Sequence, residues 1–238
     1  MNLKGRVTSS LVDLFLAAPI DIEKYETLYK HFHEHPELSN LEANTAKTIA
    51  VQLSSLQAFN ITANIGGHGV VGVLKNGPGK TILLRADMDA LPILETTRLP
   101  YSSIVTMLDA EGVMRPVMHA CGHDMHMTCL LAAAETLLKL KQMWSGTLIV
   151  LFQPAEERGT GAKAMIDDGL YNKHKIPVPD FVLGQHVMAM RAGSVGSKLG
   201  TIMAGADSMK ITLFGVGGHG SQVGGWRLHS FNCLQELT

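Results

Sequence analysis

Cysteine is scarce: the three residues Cys121, Cys129 and Cys233 are too few and too irregularly spaced for a disulfide framework. Neither sign of charge is in excess. Twenty Lys and Arg stand against 21 Asp and Glu, a formal charge of −1, so the electrostatic footprint of a nucleic-acid partner or of an anionic membrane is missing. No uninterrupted apolar run approaches the roughly 18 residues that span a bilayer. Leu11 to Ala18, following Lys4 and Arg6, imitates a signal peptide, but Asp13 interrupts it, and the expected setting is reducing and cytoplasmic. Internal repeats, low-complexity tracts, a phosphate-binding GKT/GKS loop and a G-x-S-x-G elbow are absent as well. What remains is a chain that is 46% apolar, with those residues spread throughout, enough for a buried core.

The patterning alternates between the two regular periods. Ile22, Tyr25, Leu28, Tyr29 and Phe32 form a helical stripe stopped by Pro36, and Ala46, Ile49, Ala50 and Leu53 mark a second helix over residues 42–56. Val70 to Leu74 and Thr81 to Leu84 read as strands joined by the tight turn Asn76-Gly77-Pro78-Gly79. Met127, Leu130, Leu131, Ala134, Leu137 and Leu138 outline a long helix that Asp124 is placed to cap. Gly146 to Phe152 reads as a buried strand, Ala162 to Asp168 as a short helix closed by Gly169, and Phe181 to Gln185 as a further buried strand. These elements predict an α/β fold, a sheet covered by helices on both faces. After about residue 200 the texture changes: Met209, Ile211 and Leu213 alternate with Lys210 and Thr212, as in a half-exposed strand opening a second unit.

Chemistry-bearing residues collect at the ends of the predicted strands. Met118 to His126 holds five potential metal ligands within eight residues (His119, Cys121, His123, Asp124 and His126), immediately before a helix whose N-terminus favours an ionised Cys121. Buried, hydrogen-bonded His and Cys are the alternative reading. Gln153-Pro154-Ala155-Glu156-Glu157 follows an apolar strand. Two adjacent carboxylates there repel each other unless a cation lies beside them, the alternative being a solvated acidic turn with Arg158 as partner. Gly184-Gln185-His186 and Arg85-Ala86-Asp87-Met88-Asp89 end two more strands, and a carboxylate such as Asp87 suits the orientation of a ligand histidine. Gly215 to Gly220 fits G-x-G-x-x-G, but no helix and no acidic residue about 20 positions on complete a dinucleotide site.

Together these blocks resemble the M20 metallopeptidase family, in its amidohydrolase branch of hippurate hydrolases, N-acyl-amino-acid amidohydrolases and plant auxin-conjugate hydrolases. The resemblance runs from His33-Glu34-His35-Pro36-Glu37-Leu38-Ser39 to about Gln222, through Arg85 to Pro92, His119 to His126, Gln153 to Glu157 and Gly217-Gly218-His219. It implies a zinc-exopeptidase-like catalytic domain over residues 1–200, with a mixed sheet, and over 201–238 the start of an α+β lid or dimerisation domain. It further implies two divalent metal ions, Mn or Zn, with Cys121 bridging them and His123, Glu157 and His186 as further ligands. Glu156 would be the general base. Asp87 would support a ligand, with Arg85 standing where other branches have a metal-binding His, and His219 would polarise the scissile carbonyl across a homodimer. The implied substrate is a small N-acyl or N-aroyl amino acid. A same-family aminoacylase or carboxypeptidase acting on peptides is the alternative, although those branches place Asp where Cys121 stands. The pattern departs at Thr97-Arg98, where the family favours Thr-Gly, and after His219, where Val223-Gly224-Gly225-Trp226-Arg227 replaces a Pro-containing loop and helix. The family's late His ligand has no counterpart, so the chain reads as a C-terminally truncated form, with an inactive product as a further possibility.

Overall fold

The computed structural model describes residues 18–205 together with Asp13, Leu16, Met209 and Ile211. The chain divides into two compact units, Met1–Ala189 and Met190–Thr238. The described residues of the second unit form neither helix nor strand, and the expected lid strand at 209–213 and His219 lie largely or wholly outside them.

The first unit is built on a mixed sheet of five strands: β1 (Asn60–Ile65), β2 (Gly69–Asn76), β3 (Thr81–Asp87), β6 (Gly146–Gln153) and β7 (Phe181–Gly184), in the order β1-β2-β6-β3-β7. A separate hairpin pairs β4 (Thr106–Leu108) with β5 (Met114–Pro116). The tight turn joins β2 to β3 without pairing them with each other. β6 inserts between β2 and β3, antiparallel to the first and parallel to the second. Being apolar on both faces, β6 belongs at the centre of the sheet, where it buries more surface than a β2–β3 hairpin would leave room for.

The period of two explains both layers. Leu148, Val150 and Phe152 of β6 face a core shared with Tyr25, Leu28 and Phe32 of α1 (Ile22–Glu34), Ala46, Ile49 and Leu53 of α2 (Ala43–Ser55), and Met127, Leu130, Leu131 and Ala134 of α3 (His123–Lys139). Ile149 and Leu151 face the opposite cluster, with Val71, Leu83, Leu170 and Met165 of α4 (Gly161–Asp167). Ile22, expected in the α1 stripe, is 66% exposed because it sits at the helix start, ahead of the first turn that reaches the core.

β7 corrects the expectation of a buried strand. Phe181, Val182 and Leu183 are 55–63% exposed, since β7 pairs only with β3 and no described residues pair with its outer edge. β1 has no counterpart in the sequence reading: its half-exposed Asn-Ile-Thr-Ala-Asn-Ile pattern is weak, and pairing with β2 supplies what periodicity did not. Among the described residues no helix is long and apolar enough to cross a membrane.

Candidate metal centre

Three parallel strands, β6, β3 and β7, put their carboxyl ends on one edge of the sheet, and α3 starts beside that edge. The chain leaves β3 for β6 on one side and later returns as β7 on the other, the kind of crossover where open α/β sheets leave a crevice. Asp87 ends β3, Glu156 and Glu157 follow β6, and His186 follows β7.

Cys121 and His123 flank Gly122, the residue preceding α3. Gly122 has φ +81°, and a Cβ there would lie 2.3 Å from Val187 Cγ2, so glycine serves both the backbone turn and the close approach. Gly122, not Asp124, occupies the cap position, without any side-chain cap. Asp124 is drawn elsewhere: its Oδ2 accepts a 2.7 Å hydrogen bond from His33 Nδ1. The carboxylate turn is fixed from α2, because the buried Glu42 accepts the Ala155 N–H at 2.7 Å and Ala155 itself holds φ +46°.

The donors converge. Cys121 Sγ is 3.4 Å from His186 Nε2, and His123 Nε2 is 3.7 Å from Glu157 Oε1 and 3.8 Å from Glu156 Oε2. Cys121, His123 and His186 form one group whose ligand atoms lie within 4.8 Å of one another, and His123, Glu156 and Glu157 form another. His123 Nδ1 donates to the Asp89 carbonyl at 2.9 Å, which leaves Nε2 with its lone pair facing the carboxylates. That nitrogen and Glu157 Oε1 are buried without a hydrogen-bond partner. Ligands sit about 2.0–2.3 Å from a zinc-type ion, so donors sharing one ion stand roughly 3.3–4 Å apart. The spacings found here fit a cation and are too long for hydrogen bonds between the carboxylates and His123.

Electrostatics argue the same way. Burial, then the charges of Glu157, Glu156 and Asp87, push the Cys121 thiol up to about 12, overriding the helix N-terminus that was expected to ionise it. Burial also raises the Glu157 carboxyl. Burial lowers the affinity of His123 for a proton, yet the Asp89 carboxylate, with Oδ1 3.3 Å from Nδ1, and the charges of Asp87 and Glu157 outweigh it and raise its pKa. This concentration of unneutralised negative charge is what a divalent cation relieves.

Asp87 sits beside His123, with Oδ2 3.6 Å from Nε2, but its short contact is to another ring: Oδ1 accepts from His126 Nδ1 at 2.6 Å. Arg85 clamps it from the far side, donating from Nη1 to Asp87 Oδ2 at 2.6 Å and from Nη2 to Gln153 Oε1 at 2.8 Å. Burial raises the Asp87 carboxyl, but His126, Arg85 and His123 hold it well below the usual range. His119 is buried with neither ring nitrogen partnered and belongs to none of the convergent groups. The sequence reading missed the part of Asp89, which ties together Ser39 Oγ (2.7 Å), the Glu157 N–H (3.0 Å) and His123. It also missed His33, whose two nitrogens donate to Asp124 and to Glu95 Oε1 (3.1 Å). A buried polar residue inside each quoted motif was the available signal.

Strand-end carboxylates, a thiol and imidazoles thus gather at one edge of a helix-covered mixed sheet, a donor set suited to divalent metal ions. The sequence profile described as "Peptidase family M20/M25/M40" matches residues 83–221, and the chain belongs to that family. It is similar to the hippurate hydrolase of Campylobacter jejuni, 46% identical over 200 residues that cover 83% of this chain and 48% of the relative. It is also similar to thermostable carboxypeptidase 1 of Saccharolobus solfataricus, 43% identical over 81% of this chain and 46% of the relative. Among solved structures, the Bacillus subtilis YXEP protein, described as a dinuclear metal binding peptidase from the M20 family, is 34% identical with a TM-score of 0.59, over 69% of this chain and 42% of that one. The chain spans about half the length of the curated relatives it matches.

Proposed function

We propose that these residues form the metal-binding part of an amidohydrolase that cleaves the amide bond of small N-acyl or N-aroyl amino acids. Cys121, His123, Glu157 and His186 would hold two divalent ions, Mn or Zn. When bound, such ions supply Lewis acidity toward water and toward the amide carbonyl. Glu156 is the general base: it takes a proton from the attacking water and delivers it to the leaving amine nitrogen. Its position suits the task, since its carboxylate is 39% exposed beside the donors while Glu157 is turned further in. Asp87 steadies the histidines beneath the site, and the family resemblance assigns to His219 the polarisation of the carbonyl, with a homodimer formed through the lid domain in full-length relatives. The observation that carries this reading is the pair of buried, unpartnered donors His123 Nε2 and Glu157 Oε1 with Glu156 Oε2 beside them. The name of the 46% identical relative supports the substrate class.

Benzoyl-glycine hydrolysis and metal content, measured on one preparation, test it. Glu156→Gln is expected to abolish turnover and leave metal content within about a tenth of wild type, and Cys121→Ala to strip metal. Metal lost by the first variant and kept by the second would reverse the two roles. The carboxypeptidase name of the 43% identical relative favours a second reading, cleavage of peptides. Faster turnover of a dipeptide than of benzoyl-glycine would select it.

A further inference from the structure

His186 stands out among the donors because nothing buries it. It is exposed, it follows a strand that is exposed along its whole length, and its own Nδ1 is engaged with the Val187 carbonyl at 2.7 Å. A metal ligand on so exposed a segment needs an anchor. The only side-chain hydrogen bond from the following backbone among the described residues is the Val187 N–H donating to His126 Nε2 at 3.0 Å.

His126 is 1% exposed, one helical turn after His123, and its ring meets that of His186 edge-on at 4.5 Å. Asp87, His123 and His126 also converge closely enough to resemble a ligand set. The hydrogen bonds exclude His126 from that part. Its Nδ1 donates to Asp87 Oδ1 and its Nε2 accepts from Val187, so neither nitrogen has a lone pair left for an ion. Asp87, clamped by Arg85, sets the tautomer that makes Nε2 an acceptor. The chain of contacts runs from Arg85 and Asp87 through His126 to the backbone of Val187.

We propose that His126 is a positioning residue that holds the His186 imidazole against Cys121 by capturing the Val187 N–H. This deepens the metal-centre reading and rests on it.

Two substitutions separate the halves of the contact. In His126→Gln the amide oxygen occupies the place of Nε2 and keeps the acceptor for Val187. In His126→Asn the amide occupies the place of Nδ1 and keeps only the link to Asp87. The probe is Co2+ alone, with its dissociation constant read by competition with a chromophoric chelator and Cys121 ligation read from the thiolate-to-cobalt absorption band. His126→Gln is expected to stay within about threefold of wild type and His126→Asn to bind about 10–100-fold more weakly, the usual cost of losing a partner behind a ligand. A role in filling core volume would move both alike. Equal losses, no loss in either, or the reverse order overturns the proposal. If a variant fails to fold, amide exchange of the metal-free wild type decides. Val187 is expected to be protected relative to Met188, and exchange at the rate of its exposed neighbours overturns the proposal. A wild-type chain that binds no Co2+ overturns the metal-centre reading, and the positioning role with it, even where Val187 is protected.

Discussion

Arg98 illustrates what a single residue can reveal. The sequence flags it as a departure, Arg where the family favours glycine, and the structure gives the reason for the preference: Arg98 holds φ +60°. A side chain in the left-handed region costs roughly 1–2 kcal/mol, and a β-branched one more, whereas glycine is free of that penalty. Arg98→Gly is therefore expected to be neutral or to stabilise by up to about 1 kcal/mol, and Arg98→Val to cost about 1–2 kcal/mol, both read by denaturant unfolding. A stabilising Val would show that the backbone there is not left-handed. Cys121 carries the opposite lesson. Its identity and neighbours suggested an ionised thiol, but burial and three nearby carboxylates decide against ionisation without a cation.

At the scale of elements, α1 is joined to the start of α3 and to the 95–103 loop through one imidazole. His33 donates from both nitrogens, to Asp124 and Glu95, while the rings of Tyr29 and Tyr101 pack against it. The Asp124 hydrogen bond chiefly, assisted by Glu95, lifts its pKa from 6.5 to about 9 against the opposing effect of burial. A group whose folded pKa is raised contributes stability that is complete below the unfolded value and disappears as pH rises through the folded one. Wild-type unfolding free energy is therefore expected to fall between about pH 6.5 and pH 9 relative to His33→Gln. The difference amounts to about 3 kcal/mol, each unit of the raised pKa being worth about 1.4 kcal/mol. Parallel pH profiles for the two proteins would show that His33 is not charged in the folded state. The carboxylate turn is similarly borrowed from another element, since Glu42 at the start of α2 accepts the Ala155 N–H that sets the direction of Glu156 and Glu157.

At the scale of the molecule, a charged and partly unsatisfied centre makes stability depend on what binds it. A divalent ion that binds only the folded chain adds about 2.7 kcal/mol at a hundred times its dissociation constant. For a chain of this size that is a rise in melting temperature on the order of 5–10 °C. Mn2+ or Zn2+ is expected to produce it and EDTA to reverse it, followed by scanning calorimetry. The shift should vanish in Cys121→Ala, and an undiminished shift in that variant would place the ion elsewhere.

Much of this was legible without coordinates. The helices α1, α2 and α3 and the strand β6 followed from apolar periodicity, because burial of one face or two writes itself into residue spacing. The convergence of Cys121, His123, Glu156, Glu157 and His186 could be anticipated because parallel strands end on one edge, so residues that follow them in sequence meet in space. Strand order was not legible: the turn at 76–81 permits a hairpin, and only the competition for the central position, won by β6, excludes it. Nor was the exposure of β7, whose apolar residues imply a cover that a local pattern cannot confirm. The supporting contacts, Asp87 with His126, Asp89 with His123, and His33 with Asp124, join residues 34 to 91 positions apart. Residue spacing along the chain set which elements form and which donor side chains they carry. Which partner holds each of them came only with folding in three dimensions, because hydrogen bonds depend on distances that no spacing along the chain encodes.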